Sequence, residues 1–396
     1  MITINIDKNS KFENIETYLV QLARAKEVGM PASLMLPKSL NYTYFGLIPS
    51  LIQFVITWMR YEYADKLVID TEDFSEDGLS ELYKNELIFP VVVLAWNKTG
   101  VFDRKGTSLR KHLQPINKLY SERMLNGRSL PGNKLLLTDF DHLPDDRLLP
   151  CFGNKYKFVQ TKTELKKNIE KGIREVFYMY RELPRAFDHS EDPFISIIYE
   201  LMKNTFEWAR HDEKLVPIDP NIRGTLLKFI RKKRKNLLDE YKWHKGLKGF
   251  FSSERLKENS LNELYLMEIS VFDGGVGFAN KFRATNKGVE NWSEIDIIKK
   301  CLTKHATSAR GIDKDEKGLG LDQILQILDG RGLIKIKTGH SCVYRNMITH
   351  PYDENPENNQ IVLYDWKSHN EQKFTKYQNI EGAVITIFYA IEFKNF

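Results

Sequence analysis

Three short stretches, far apart in the chain, join polar side chains to flexible backbone: Glu200-Leu-Met-Lys-Asn204, Asp273-Gly-Gly-Val-Gly277 and Gly318-Leu-Gly-Leu321. Residues four apart share one face of a helix, so Glu200 and Asn204 point the same way, with Glu207 one turn further on. A carboxylate beside an amide oxygen suits a magnesium nucleotide. The amide takes one Mg²⁺ position and the acid accepts a proton from an attacking water. Asp273 closes the apolar run Tyr265 to Phe272, where a fixed carboxylate accepts a hydrogen bond from an exocyclic amine such as that of adenine. Glycines at 274, 275 and 277 let the backbone approach a flat base. Gly318 and Gly320 precede the helical pattern Leu321 to Leu328, and amides at a helix start bind phosphate oxygens. Ahead of them, Lys304-His-Ala-Thr-Ser-Ala-Arg310 offers Lys304, Thr307 and Ser308 to a triphosphate. Taken singly, each stretch also fits a plainer role: the charged edge of an amphipathic helix, a turn after a strand, a solvated loop with a capping glycine.

The elements that must position these residues read as α/β throughout. Met1 to Asp7 and Ser33 to Pro37 have strand patterns, Tyr44 to Tyr63 has helical spacing, and Lys66 to Asp70 is a continuous apolar run typical of a buried parallel strand. Asp77 to Asn85 reads as a helix and Leu87 to Trp96 as a further apolar element. Residues 1–100 are therefore expected to form a smaller N-terminal α/β domain, with an element order similar to STAS domains. Residues 101–160, polar and rich in Gly, Pro, Asn and Asp, are expected to be a linker or irregular subdomain. In 161–396 the spacing predicts helices over Thr163–Leu183, Pro193–Ala209, Glu294–Leu302 and Asp322–Leu328. Strands are predicted over Tyr265–Phe272, Leu333–Lys337, Ile361–Asp365 and Ala383–Phe388.

In their order and spacing the three stretches resemble the boxes of the GHKL, or Bergerat-fold, ATPase superfamily, which spans gyrase, heat-shock chaperones, histidine kinases and mismatch-repair ATPases. Glu200-x-x-x-Asn204 looks like the N box, Asp273-x-Gly275-x-Gly277 the first glycine box and Gly318-x-Gly320-Leu321 the second. His305-Ala-Thr-Ser308 is similar to the lid of the mismatch-repair branch, and Glu381 to Ile387 to the closing strand. The resemblance covers about residues 190 to 390. It implies a C-terminal Bergerat-type sandwich, a mixed sheet with helices on one face, binding ATP and Mg²⁺. Glu200 would orient the hydrolytic water, Asn204 would hold the metal, and Asp273 with Gly275 and Gly277 would take adenine. Gly318, Leu319, Gly320 and Leu321 would meet the phosphates. The chain departs from the pattern in three places. Ala383 stands where the family carries the threonine that supports the adenine-binding acid, Thr386 being on the opposite face. Glu316 replaces a glycine. A transducer lysine is either replaced by Lys304 or Arg310 or lacking.

The function expected is a slow Mg-dependent ATPase whose nucleotide state controls the N-terminal domain or a partner protein of a multi-component system, with a homodimer compatible. Two alternatives stay open. A histidine-kinase-type phosphotransferase would need a phospho-accepting histidine, for which His189 is the nearby candidate. A nucleic-acid-binding module would use the expected basic insert 210–260. Within residues 223–258, twelve Lys and Arg face four Asp and Glu, which exceeds the net charge of +6 and leaves the rest slightly acidic. Arg231-Lys-Lys-Arg-Lys235 with Tyr241, Trp243, Phe250 and Phe251 mixes charge with rings, as phosphate and base contacts require. The plainer alternative is a solvated excursion whose rings pack on the domain. The apolar stretch Phe45–Met59 falls short of the roughly 20 residues of a membrane span. With no signal-peptide pattern and only Cys151, Cys301 and Cys342, a cytoplasmic protein is expected.

Overall fold

A computed structural model describes residues 1–41, 44–128, 132–177, 184–303, 320–354 and 360–391, with side chains except at 184–190. It is mixed α/β, with a parallel four-stranded sheet and an antiparallel seven-stranded sheet. The smaller sheet runs β1 (Ile2–Asn5), β2 (Ala32–Pro37), β3 (Ala64–Asp70) and β4 (Val101–Phe102) in sequential order. Its connections hold α1 (Phe12–Glu27), α2 (Leu47–Met59), and α3 (Glu76–Leu82) with α4 (Ile88–Lys98). Parallel strands need such crossovers, and the helices cover the face that carries Leu34, Leu36, Leu67 and Ile69, all buried, while Lys66 on the other face of β3 is exposed.

Helix α2 sits where the two halves meet. Every residue in it except Thr57 is buried, because one side packs on α1 and α4, with the Trp58 indole donating to the Ala32 carbonyl of β2, and the other lies on β7 and β11 of the large sheet. That explains an apolar run too polar and too short for a membrane. Among the described residues, no helix is long and apolar enough to cross one. Buried side chains from β2, α1 and α2 join those of the large sheet in one continuous core.

The segment expected to be irregular, 101–160, is partly ordered. It contains α5 (Arg110–Leu125) and β5 (Lys134–Asp139), and β5 is an edge strand of the large sheet. Leu135, Leu136 and Leu137 are buried there, a run short enough to be lost among polar neighbours. Helices α6 (Lys162–Phe177) and α7 (Pro184–Trp208) follow. Helix α7 starts at Pro184 rather than 193, with Pro193 inside it, so His189 lies on the helix that carries Glu200. Eleven residues separate them, roughly 16 Å along the axis.

The basic insert is largely scaffold. It contains β6 (Arg223–Lys233), α8 (Arg234–Glu240) and α9 (Lys245–Phe251), and β6 pairs along its whole length with β7 (Glu263–Asp273). Arg231 binds Glu263 at 2.7 Å, Arg234 binds Glu258 at 3.1 Å, and Lys232 pairs with Glu240. Tyr241, Phe250 and Phe251 are buried around Phe388, so only Trp243 of the four rings is exposed. The nucleic-acid alternative thereby keeps only one of its four stacking rings.

Next come α10 (Phe278–Thr285), α11 (Glu294–Cys301), α12 (Gly320–Leu328), β8 (Gly332–Gly339), β9 (Ser341–Asn346), β10 (Tyr364–Asp365) and β11 (Ile380–Ala390). The strand order is β10-β9-β8-β11-β7-β6-β5. Every pairing is antiparallel, as tight connections such as β8 to β9 through His340 require, so the expected mixed sheet is not what forms. Nor are helices confined to one face. Alternation along β7 and β11 turns Glu268, Ser270 and Thr386 toward Gly46 and α2. It turns Val271, Asp273, Ala383 and Ile385 toward a cavity under α7.

Candidate functional site

That cavity has a volume of about 280 Å³, and the separated stretches meet in it. Glu200, Asn204, Asp273, Gly275, Gly277, Gly320 and Leu321 all line it. Lys304, Thr307, Ser308, Gly318 and Leu319, with the rest of the lid reading, fall outside the described residues.

One end is built from strand ends. Asp273 is the last residue of β7, held between β6 and β11 in register with Arg223 and Ala383. Its Oδ1 accepts hydrogen bonds from the Gly275 amide at 2.8 Å and the Ala383 amide at 3.2 Å. The support expected from a threonine hydroxyl thus comes from the backbone of Ala383, while Thr386 bonds with Ser270 on the far face. Burial raises the Asp273 carboxyl to about 6, against the opposing pull of these two amides and of Arg60 and Arg223. Gly275 has to be glycine: a Cβ there would lie 2.8 Å from Ala209. Val271, Ile385, Phe282 and Cys301 add apolar wall, and burial pushes the Cys301 thiol up to about 12, leaving it inert.

The other end is a helix stripe facing a helix start. Ile195, Ile198 and Met202 anchor α7 in the core, which turns Glu200, Asn204 and Glu207 into the cavity. Helix α12 begins against them: a Cβ on Gly320 would lie 2.9 Å from Glu200 Oε2 and 3.8 Å from the Asn204 amide nitrogen. Asp322, buried and accepting from the Tyr352 hydroxyl at 3.1 Å, ties this helix start to the loop between β9 and β10.

Three residues went unread in the sequence. Lys162, at the start of α6, places its ammonium 3.1 Å from Glu200 Oε1 and 2.9 Å from Gln323 Oε1, bridging α7 and α12. Lys281 lines the cavity but donates to the carbonyls of His211 and Asp212 at 3.1 and 3.2 Å, so its charge is spent on the wall. Arg60 reaches the back of the Asp273 loop from α2. No motif flags these residues, because each lies far from its partner in the chain.

The arrangement offers a partly apolar end closed by one acceptor carboxylate, and the start of α12 beside an acid–amide pair. No group of three or more His, Cys, Asp or Glu that could hold a metal occurs among the described residues. A single amide oxygen next to open space fits Mg²⁺, which keeps waters and substrate phosphates as its other ligands. No family model, curated protein or solved structure matches the chain.

Proposed function

We propose that the cavity binds a purine nucleoside triphosphate, ATP, and that the protein is a slow Mg-dependent ATPase of the GHKL type with a Bergerat-like pocket. The observation that carries this reading is the convergence of Glu200, Asn204, Asp273, Gly275 and Gly320 on one cavity from three distant stretches. A strand-end carboxylate in an apolar slot selects a base bearing an exocyclic amine, because a keto oxygen there would face the acid's lone pairs. At the other end the amides at the α12 start favour phosphate oxygens. Asn204 would hold Mg²⁺, which when bound neutralises phosphate charge. Glu200 would orient a water and take its proton as the water attacks the terminal phosphorus, the bond to the β–γ bridging oxygen breaking so that ADP leaves with the electron pair. Lys162 keeps Glu200 aimed, and through its contact with Gln323 near the α12 start it would meet the terminal phosphate. In this role it serves for the transducer lysine of related enzymes. Nucleotide occupancy would then be relayed to the N-terminal layer or to a partner protein.

The test is thermal-shift titration with Mg·ATP, Mg·ADP and a non-hydrolysable analogue, together with phosphate release. Asp273→Asn is expected to lose the nucleotide shift. Glu200→Ala is expected to keep it and lose phosphate release. Equal responses from wild type and both variants refute the assignment.

A further inference from the structure

The base end of the cavity has an outer wall that belongs to the N-terminal layer. Arg60 caps the C-terminus of α2, with its side chain mostly buried. Its guanidinium forks between the two backbone segments that hold Asp273. Nη2 donates to the carbonyl of Gly274, and Nη1 to the carbonyl of Gly275 at 3.3 Å. Nη1 also binds Glu381 on β11 at 2.9 Å, two residues before Ala383. One turn earlier on α2, Thr57 Oγ1 accepts from the Glu381 amide at 3.0 Å. The amides of Gly275 and Ala383 are therefore fixed in space by contacts from α2. Those amides in turn aim the Asp273 carboxylate.

We infer that Arg60 is a positioning residue of the base site, and that the N-terminal parallel-sheet layer is in consequence a structural part of that site. The inference rests on the nucleotide reading above and deepens it: the base end is positioned through α2. Arg60 acts through geometry and through charge. The charged groups facing Asp273 are Arg60 from α2 and Arg223 from β6. Arg223 is largely neutralised by Asp139 at 3.2 Å and Asp141 at 2.9 Å, and Arg60 is paired with Glu381. Both cations favour the ionised carboxylate, the form that accepts from an exocyclic amine.

The experiment compares wild type, Arg60→Gln and Arg60→Lys in the full chain. Binding of Mg·ATP and of Mg·tripolyphosphate, which has no base, is measured by calorimetry. The Asp273 carboxyl is titrated by carbon NMR, its signal assigned by its loss in Asp273→Asn. Arg60→Gln is expected to weaken ATP roughly 10-fold or more, as losing an orienting partner does, with tripolyphosphate unchanged. Its Asp273 midpoint is expected to move up. Arg60→Lys keeps the charge without the fork, so it should hold the midpoint near wild type yet still lose ATP affinity. An unmoved midpoint in Arg60→Gln overturns the inference, and so does an equal loss of ATP and tripolyphosphate. If wild type binds neither ligand, the nucleotide reading fails, while the titration still decides whether Arg60 governs Asp273.

Discussion

The two ends of the cavity are built on different plans. At the Asp273 end, strands β6, β7 and β11 and helix α2 lock one carboxylate with backbone amides and a guanidinium from a different layer. At the Glu200 end, a single helix stripe faces the start of α12, and Lys162 is its chief charged tie. Sheet-held groups are costly to move, whereas a helix edge beside open space can accommodate a reacting phosphate. On the proposed reading, recognition would sit where the fold is most over-determined, and chemistry where it is least so.

This contrast can be broken by mutation, and the largest effect belongs to the helix end. Glu200→Gln should cut phosphate release by about 10² to 10⁴, the usual contribution of a general base, with ATP affinity within a factor of a few of wild type. A parallel loss of affinity would show that Glu200 binds rather than reacts. At the sheet end, Asp273→Asn should weaken ATP by roughly 10²-fold while leaving Mg·tripolyphosphate binding intact, read by calorimetry. Lys162→Met is expected to slow turnover roughly tenfold at saturating ATP, with the Michaelis constant little altered.

The pH response sharpens the comparison. Asp273 sits at about 6 when folded, above the roughly 3.9 of an unfolded aspartate. The native state therefore holds that proton more tightly. The resulting stability is fully present below about pH 4 and is lost as pH rises through about 6, on the order of 3 kcal/mol. ATP affinity should run the other way, strengthening as pH rises through about 6 and the acceptor ionises. Asp273→Asn should flatten both trends. Denaturation and binding isotherms between pH 4 and 8 measure them.

Legibility in the sequence followed locality. The acid–amide pair and the glycine stretches were readable because each feature is completed within a few residues, and the cavity assembles them. Strands β2, β3, β7 and β11 and helices α2 and α11 lie close to their predicted spans for the same reason, and α6 starts where expected, its predicted end at 178–183 falling outside the described residues. The misreadings share an opposite cause. Strand β6 is charged at both ends, Arg223 at one and Arg231, Lys232 and Lys233 at the other, with Lys228 between, so its stretch reads as a solvated insert although Leu226, Leu227 and Phe229 are buried. Strand β5 is a short edge. Helix α1 carried Phe12, Ile15, Leu19 and Leu22 at helical spacing and stood unassigned. Arg60 and Lys162 meet partners up to 321 positions away, a pairing that only a fold reveals.

The most direct test is a structure of the full chain with a non-hydrolysable ATP analogue and Mg²⁺. The account predicts the adenine amine within hydrogen-bond distance, about 3 Å, of the Asp273 carboxylate, and the terminal phosphate beside Gly320 and Lys162. An analogue lying with its base toward Glu200, or bound away from this cavity, would contradict it.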